Sequence, residues 1–114
     1  MDLGVFYPSL VVKDITKSKA FYEKLGFSMI PNGGSVKEKW LVMSNGDIKI
    51  GLFESMFPKN TLTFHPKDAR EIHSTIKDTI DIEYMGEGMK ATKGPCSFVI
   101  NDPDGNPILF DQYE

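Results

Sequence analysis

The sequence predicts an α+β fold built from two tandem βαβββ modules. Three observations predict it. The first half runs in the order strand, helix cap, helix and glycine stop; an Asn-Gly pair then separates two alternating runs; and the second half repeats this plan in shorter form. A chain of 114 residues can bury roughly two-thirds of its unfolded surface around one core. We therefore expect a single domain over residues 1–114, with module one at about 1–55 and module two at about 60–114.

The first half gives the clearest local signals. A strand is predicted over residues 4–12, in which Tyr7 and Ser9 share one face. Asp14 then stands at the N-cap of a helix whose apolar residues recur at helical spacing, and Gly26 follows as its stop. A short strand is expected near residues 27–30, and turn-forming residues predict a loop over 31–34.

The Asn45-Gly46 pair predicts a tight hairpin turn. With these two residues at its centre, Trp40 lies opposite Gly51. Strand alternation then puts one set of side chains under the helix: Leu41, Met43, Ile48, Ile50 and Leu52. The opposite face carries Glu38, Trp40, Val42, Lys49, Gly51 and Phe53.

The second half predicts a strand over residues 61–64, a helix beginning at Asp68 and a closing hairpin formed by residues 95–101 and 106–113. Overlaying the two hairpins pairs Gly51 with Leu109, and the helix entries pair Tyr7 with Thr61. The expected core residues are Leu62, Phe64, Phe98, Ile100, Ile108 and Phe110. The other face carries Thr61, Thr63, Ser97, Leu109, Asp111 and Tyr113.

The run SLVVKDITKSKAFYEKLGF from Ser9, the DPDGN turn at residues 102–106 and the internal repeat together resemble the vicinal oxygen chelate superfamily. This superfamily includes glyoxalase I, the bleomycin-resistance proteins and the extradiol dioxygenases. The resemblance covers essentially the whole chain. It implies modules whose strands curl into a mixed sheet around a cleft, helices on the outside, and usually a homodimer.

In metal-dependent members, four side chains drawn from His, Gln and Glu hold a divalent ion. The resemblance places these positions at Tyr7, Gly51, Thr61 and Leu109, none of which is a usual ligand for Zn, Ni, Fe or Mn. We therefore expect a member of the metal-free branch, with no metal and no cofactor.

A displaced metal site is the first alternative. His65 and Asp111 share the strand parity of Thr61 and Leu109, and Glu38 or Tyr113 would help them. Against this site, Pro66 suggests that His65 is already leaving the strand. Such a site would make the protein a metal-dependent lyase or dioxygenase of the glyoxalase type.

Aromatic and acidic side chains dominate the predicted cleft, which suits a flat aromatic or cationic ligand. The candidate ligand-binding residues are Tyr7, Glu38, Trp40, Phe53, Thr61, Leu109, Asp111 and Tyr113. No catalytic residue is expected. We predict a metal-free binding protein of the bleomycin-resistance type that sequesters its ligand. The second alternative is a dimeric scaffold with a vestigial cleft, in which Trp40 packs into the space beside Gly51.

Charge and composition exclude other classes of partner. The net charge of -3, with acids and bases interspersed, gives no basic stripe for nucleic acid. The apolar run over residues 5–12 is too short and too interrupted to bind or span a membrane.

A single cysteine, Cys96, is compatible with a reducing cytoplasm, and we expect it to be buried on a strand. His73 is expected to be a partly buried packing residue on the second helix, and Asp102 and Asp104 are expected to form their turn. The expected partners are a small molecule and a second copy of the chain.

Overall fold

The computed structural model describes residues 1–114 and contains eight strands and two helices. In chain order they are β1 (Val5–Val12), α1 (Ile15–Glu23), β2 (Ser28–Ser35), β3 (Trp40–Asn45), β4 (Ile48–Glu54), β5 (Thr61–His65), α2 (Ala69–Ile76), β6 (Ile82–Met85), β7 (Cys96–Asn101) and β8 (Pro107–Gln112). This order confirms the predicted α+β class and its two βαβββ repeats. Neither helix is long and apolar enough to cross a membrane.

The chain divides into two compact units. The first unit is Tyr7–Asn60, and the second unit is Met1–Phe6 together with Thr61–Glu114. The strand order is β2-β3-β4-β1 in the first unit and β5-β8-β7-β6 in the second. In both units the opening strand runs parallel to the last strand, and the remaining pairs are antiparallel. The shared topology confirms the internal repeat.

Both helices begin at the predicted aspartates. The carboxylate of Asp14 accepts a hydrogen bond from the backbone N–H of Lys17 at 3.2 Å, and that of Asp68 accepts one from Glu71 at 3.0 Å. Each bond satisfies one of the backbone donors that a helix leaves unpaired at its N-terminus. After α1, Gly26 takes a φ of +92°, which a residue without Cβ adopts freely.

Each unit has its own hydrophobic core, as the alternation predicts. The first core contains Ile15, Leu41, Met43, Ile50 and Leu52. The second contains Ala69, Ile72, Cys96, Phe98, Ile100 and Phe110.

Two residues expected in the cores are exposed. Ile48, next to the hairpin turn, is 62% exposed, and Leu62 is 40% exposed. Leu62 is uncovered because α2 packs mainly over β7 and β8 rather than over β5.

The register of the first hairpin differs from the prediction. Asn45 pairs with Ile48, so Gly46 and Asp47 form the turn and Trp40 lies opposite Phe53 instead of Gly51. Asn45 stays in the strand because its side-chain Nδ2 donates a hydrogen bond to the carbonyl oxygen of Leu25 at 3.0 Å. The partner of each residue moves by two positions, and an even shift keeps every side chain on its predicted face.

The predicted loop over residues 31–34 is instead part of β2. This strand lies at the edge of the first unit's sheet, with an irregular register between Met29 and Gly34. An edge strand tolerates Pro31 because one side of it makes no ladder hydrogen bonds. Asn32 and Gly34 take φ values of 60° and 80° in this segment. The turn-forming residues therefore mark a bulged edge strand.

Candidate functional site

The first unit's sheet has a second face, opposite its core, that carries the candidate binding residues. Gly51 lies at the centre of this face on β4. Its neighbour on β1 is Ser9, and its neighbour on β3 is Val42. Tyr7, near the start of β1, is only 7% exposed.

Aromatic rings fill the space above Gly51. A Cβ atom at this position would stand 2.7 Å from Cε2 of Phe53 and 3.1 Å from Cε2 of Tyr7. Both distances are shorter than ordinary carbon–carbon contacts. A side chain at position 51 therefore requires these rings to move. The hypothesis that Trp40 occupies this space is wrong, because Phe53 and Tyr7 occupy it.

Trp40 instead belongs to a row of three rings, Trp40, Phe53 and Phe57, which we call the aromatic row. The Trp40 and Phe53 rings are nearly parallel, with centroids 6.3 Å apart and planes at 8°. Phe57 packs against Phe53 at 5.0 Å and 58°. All three residues are partly buried. Sequence reasoning missed Phe57, because it lies between the modules where no periodicity marks it.

Gly34 supports the indole of Trp40 from the neighbouring strand. A Cβ atom at Gly34 would lie 2.8 Å from both Cδ2 and Cε3 of Trp40. The ring thus lies close against the backbone of β2. The absence of a side chain at Gly34 is what allows this approach.

Two residues in left-handed backbone conformations flank the Trp40–Phe53 pair. Lys39 precedes Trp40 with a φ of 67°, and Ser55 follows β4 with a φ of 57°. Such conformations are uncommon for residues other than glycine, and they cost on the order of 1 kcal/mol each. The N–H of Glu54 donates to the carbonyl oxygen of Lys39 at 2.9 Å, which ties the two strand ends together.

The left-handed backbone at Lys39 separates Glu38 from the strand face on which it was predicted. It lies exposed in the turn before β3, where its N–H donates to the hydroxyl of Ser35 at 3.1 Å. Strand alternation does not extend through the left-handed Lys39. Glu38 is therefore an exposed acidic residue in the turn that precedes Trp40.

The second unit repeats the arrangement around Gly51 at Leu109. Leu109 pairs with Thr63 on β5 and with Val99 on β7. Thr61 and Thr63 are 7% and 2% exposed. Leu109 thus lies between a buried threonine and a valine, and its own side chain has no metal-binding atom.

His65, Asp111 and Tyr113 form a polar cluster in the second unit. The Nδ1 atom of His65 is 2.9 Å from the backbone oxygen of Asp111 and 4.0 Å from its carboxylate Oδ2. The Nε2 atom is 3.1 Å from the Tyr113 hydroxyl, and the two rings stack with centroids 4.3 Å apart. His65 is the last residue of β5, as Pro66 suggested.

Burial raises the pKa of the Asp111 carboxyl, and the nearby His65 imidazole partly opposes this shift. Both ring nitrogens of His65 already have polar neighbours. Nowhere in residues 1–114 do three or more His, Cys, Asp or Glu side chains come together in a way that would hold a metal ion.

Comparisons with known proteins agree with this architecture. Residues 5–36 match the family described as Bleomycin resistance protein-like N-terminal. A Vibrio splendidus structure described as a glyoxalase/bleomycin resistance protein/dioxygenase superfamily member aligns with a TM-score of 0.68 at 18% identity, over 95% of this chain and 97% of that one. The chain has the fold of the vicinal oxygen chelate superfamily.

Two further solved structures share this fold. A Legionella pneumophila structure described as an NAD-dependent benzaldehyde dehydrogenase aligns with a TM-score of 0.76 at 22% identity, over 96% of this chain and all of that one (100%). An extradiol ring-cleaving dioxygenase from B. fuscum aligns with a TM-score of 0.56 at 16% identity, over 95% of this chain and 33% of that one. No curated protein matches the chain.

The remaining candidate residues have structural roles. Cys96 is 3% exposed on β7, and burial raises the pKa of its thiol. His73 packs edge-on against Phe98, with ring centroids 5.4 Å apart. Asp102 accepts hydrogen bonds within its own turn from the N–H groups of Asp104 and Asn106, both at 2.9 Å. These observations confirm the packing and turn roles predicted for all three.

Proposed function

We propose that this vicinal oxygen chelate protein is a small-molecule binding protein of the bleomycin-resistance type that works without a metal. It sequesters an aromatic or cationic ligand against the aromatic row. The observation that carries this proposal is the packing of Phe53 and Tyr7 over Gly51. These two aromatic rings occupy the space that a metal-ligating side chain at position 51 would need.

The residues at the four family positions support the metal-free part of the proposal. Transition metals in proteins need several imidazole, thiolate or carboxylate donors converging on one point. Gly51 has no side chain, and Leu109 is apolar between Thr63 and Val99. The hydroxyl groups of Tyr7 and Thr61 are weaker ligands for these ions than imidazole, thiolate or carboxylate groups.

The aromatic row supports the choice of ligand. Aromatic side chains contribute large contact areas and about 0.5–1.5 kcal/mol per pair beyond area burial. The row is partly exposed, so a flat molecule can extend it by stacking. A cation near an aromatic face gains a further electrostatic attraction. The exposed carboxylate of Glu38, in the turn leading into Trp40, favours a positive charge.

The binding test uses Trp40 as its own reporter, since it is the only tryptophan in the chain. The probes are bleomycin and the planar cation ethidium, titrated by calorimetry and by Trp40 fluorescence. Trp40→Ala should weaken binding by about 1–3 kcal/mol, whereas Trp40→Phe should retain most of the affinity. Phe21→Ala, an exposed aromatic outside the row, is the matched control. No binding of either probe, or equal affinity for the parent and Trp40→Ala, would contradict the proposal.

Metal content is tested separately by elemental analysis of protein purified without chelator. We expect far less than one equivalent of Ni, Zn, Fe or Mn per chain, because the family positions lack donors. About one equivalent in the parent protein would overturn the metal-free assignment and favour a displaced site.

We further propose that the protein acts in the cytoplasm, where its single cysteine stays reduced, and that it does so as a homodimer.

A further inference from the structure

A groove lies between α1 and β1 of the first unit, and none of the three rings of the aromatic row lines it. It has a volume of about 490 Å³, within the range of small-molecule sites. Its lining residues are Leu10, Val11, Val12, Lys17, Ser18, Phe21, Tyr22 and Asn60. The proposal that follows does not depend on the function proposed above.

Helix α1 is apolar on more than one side. Ile15 and Tyr22 pack on the core, whereas Phe21 is 57% exposed. The Phe21 ring packs edge-on against Tyr22, with ring centroids 5.2 Å apart. Both residues line the groove, and the exposed Phe21 forms one of its walls. Leu10 and Val12 of β1 are partly buried and form its apolar floor.

The charge around the groove suits an anion. Lys17 is the one charged residue in the lining, and no acidic residue lines it. The Oδ1 atom of Asn60 accepts a hydrogen bond from the backbone N–H of Val11 at 2.8 Å. This bond fixes the orientation of the amide, because a backbone N–H can only donate. The Nδ2 group of Asn60 is therefore directed away from Val11, where it can donate to a ligand. The hydroxyl of Ser18 and the ammonium of Lys17 are further donors in the lining.

We propose that this groove binds a small amphipathic carboxylate, with its apolar body between Phe21 and the floor and its carboxylate at Lys17. The charge complementarity of the rim selects an acid over an amide or an amine. The groove is open to solvent, so we expect a dissociation constant of roughly 0.1–1 mM.

The test uses 4-phenylbutyrate, followed through the backbone amide signals of the ¹⁵N-labelled full chain. Saturable shifts are expected for Val11, Lys17 and Asn60. The neutral 4-phenylbutanamide should bind about three- to tenfold more weakly, because it lacks the charge that pairs with Lys17. Phe21→Ala should weaken binding by a similar factor.

Lys17→Met should also weaken binding about three- to tenfold, and Lys19→Met is its matched control. Lys19 is two residues further along α1, but it pairs with Glu23 at 3.1 Å and does not line the groove. Equal effects of the two lysine substitutions, equal binding of acid and amide, or no saturable shift would overturn the proposal. So would shifts of the same signals on dilution alone, since these would assign the groove to a second copy of the chain. Trp40→Ala should leave this affinity unchanged, which separates the outcome from that of the binding function.

Discussion

Gly51 lies beneath the rings of Phe53 and Tyr7, close enough that a single methyl group would touch both. Its backbone does not take a positive φ, so the requirement for glycine comes from packing. At the matching position of the second unit, Leu109 fits between Thr63 and Val99. The same position in the repeat is therefore a glycine under neighbouring rings in one unit and a leucine paired with Thr63 and Val99 in the other.

Gly51→Ala should destabilise the protein by about 1–3 kcal/mol, because the added Cβ overpacks the rings. Chemical denaturation measures the change. In a Phe53→Leu background the cost should fall, since the nearest ring atom is gone. Gly46→Ala is the control: nothing lies within 4 Å of its Cβ position, and only the backbone strain at its φ of +60° remains, roughly 1 kcal/mol. If Gly51→Ala leaves the unfolding free energy unchanged, the rings of Phe53 and Tyr7 are not tightly packed over position 51.

At the scale of single elements, hydrogen bonds that begin and end within one turn or helix cap fix local structure. Asp14 and Asp68 each accept a bond from the N–H three residues later. Asp102 accepts bonds from Asp104 and Asn106, which hold the turn between β7 and β8. The Nδ2 group of Asn106 also donates to Asp102 at 2.8 Å. The ionised carboxylate of Asp102 accepts its bonds more strongly than the neutral acid would, which lowers its pKa.

Asp102→Ala should destabilise the protein in a pH-dependent way, and Asp104→Ala should have a smaller effect. The Asn106 side-chain hydrogen bond, followed by backbone bonds, lowers the pKa of Asp102. A lowered carboxyl pKa contributes stability above the unfolded value, about 3.9, and that contribution is lost as the pH falls through the folded pKa. The difference in unfolding free energy between parent and Asp102→Ala should thus be largest near neutral pH and shrink below about pH 4. Chemical denaturation of both proteins at several pH values measures this difference. If the difference does not change with pH, the charge of Asp102 does not stabilise the turn.

At the scale of the whole molecule, two sheet edges and several apolar side chains remain exposed. β2 and β6 are outer strands of the two units. On β6, Tyr84 is 59% exposed and Met85 is 47% exposed. Open strand edges with apolar side chains favour association with another chain.

We expect the homodimer proposed above to appear in light scattering at micromolar concentration as twice the 12.8 kDa chain mass. Tyr84→Lys on the β6 edge tests whether that edge contributes, and Glu87→Lys, which lies beyond the strand, serves as its control. A monomer at every accessible concentration would contradict the dimer.

The sequence by itself determined the order of the other elements, the repeat and the two faces of each hairpin, although it did not locate β6 at Ile82–Met85. These features are readable because their causes are local. A cap needs Asp14 and an N–H three residues later, and a strand face follows from alternation alone. Side chains alternate between faces with a period of two residues. The predicted faces are therefore correct even though the predicted hairpin register is wrong, because the partners moved by an even number of residues.

The tertiary structure alone decided the register, the filling of the site and the path of β2. Asn45 stays in β3 because it bonds to Leu25, twenty residues earlier in the chain. Gly51 is covered by a ring from its own strand and another from Tyr7, and no local pattern reports how two side chains share one space. The turn-forming residues at 31–34 continue a strand because it lies at a sheet edge, where proline and irregular backbone are tolerated. Each of these outcomes depends on contacts between residues distant in sequence, which a local pattern cannot contain.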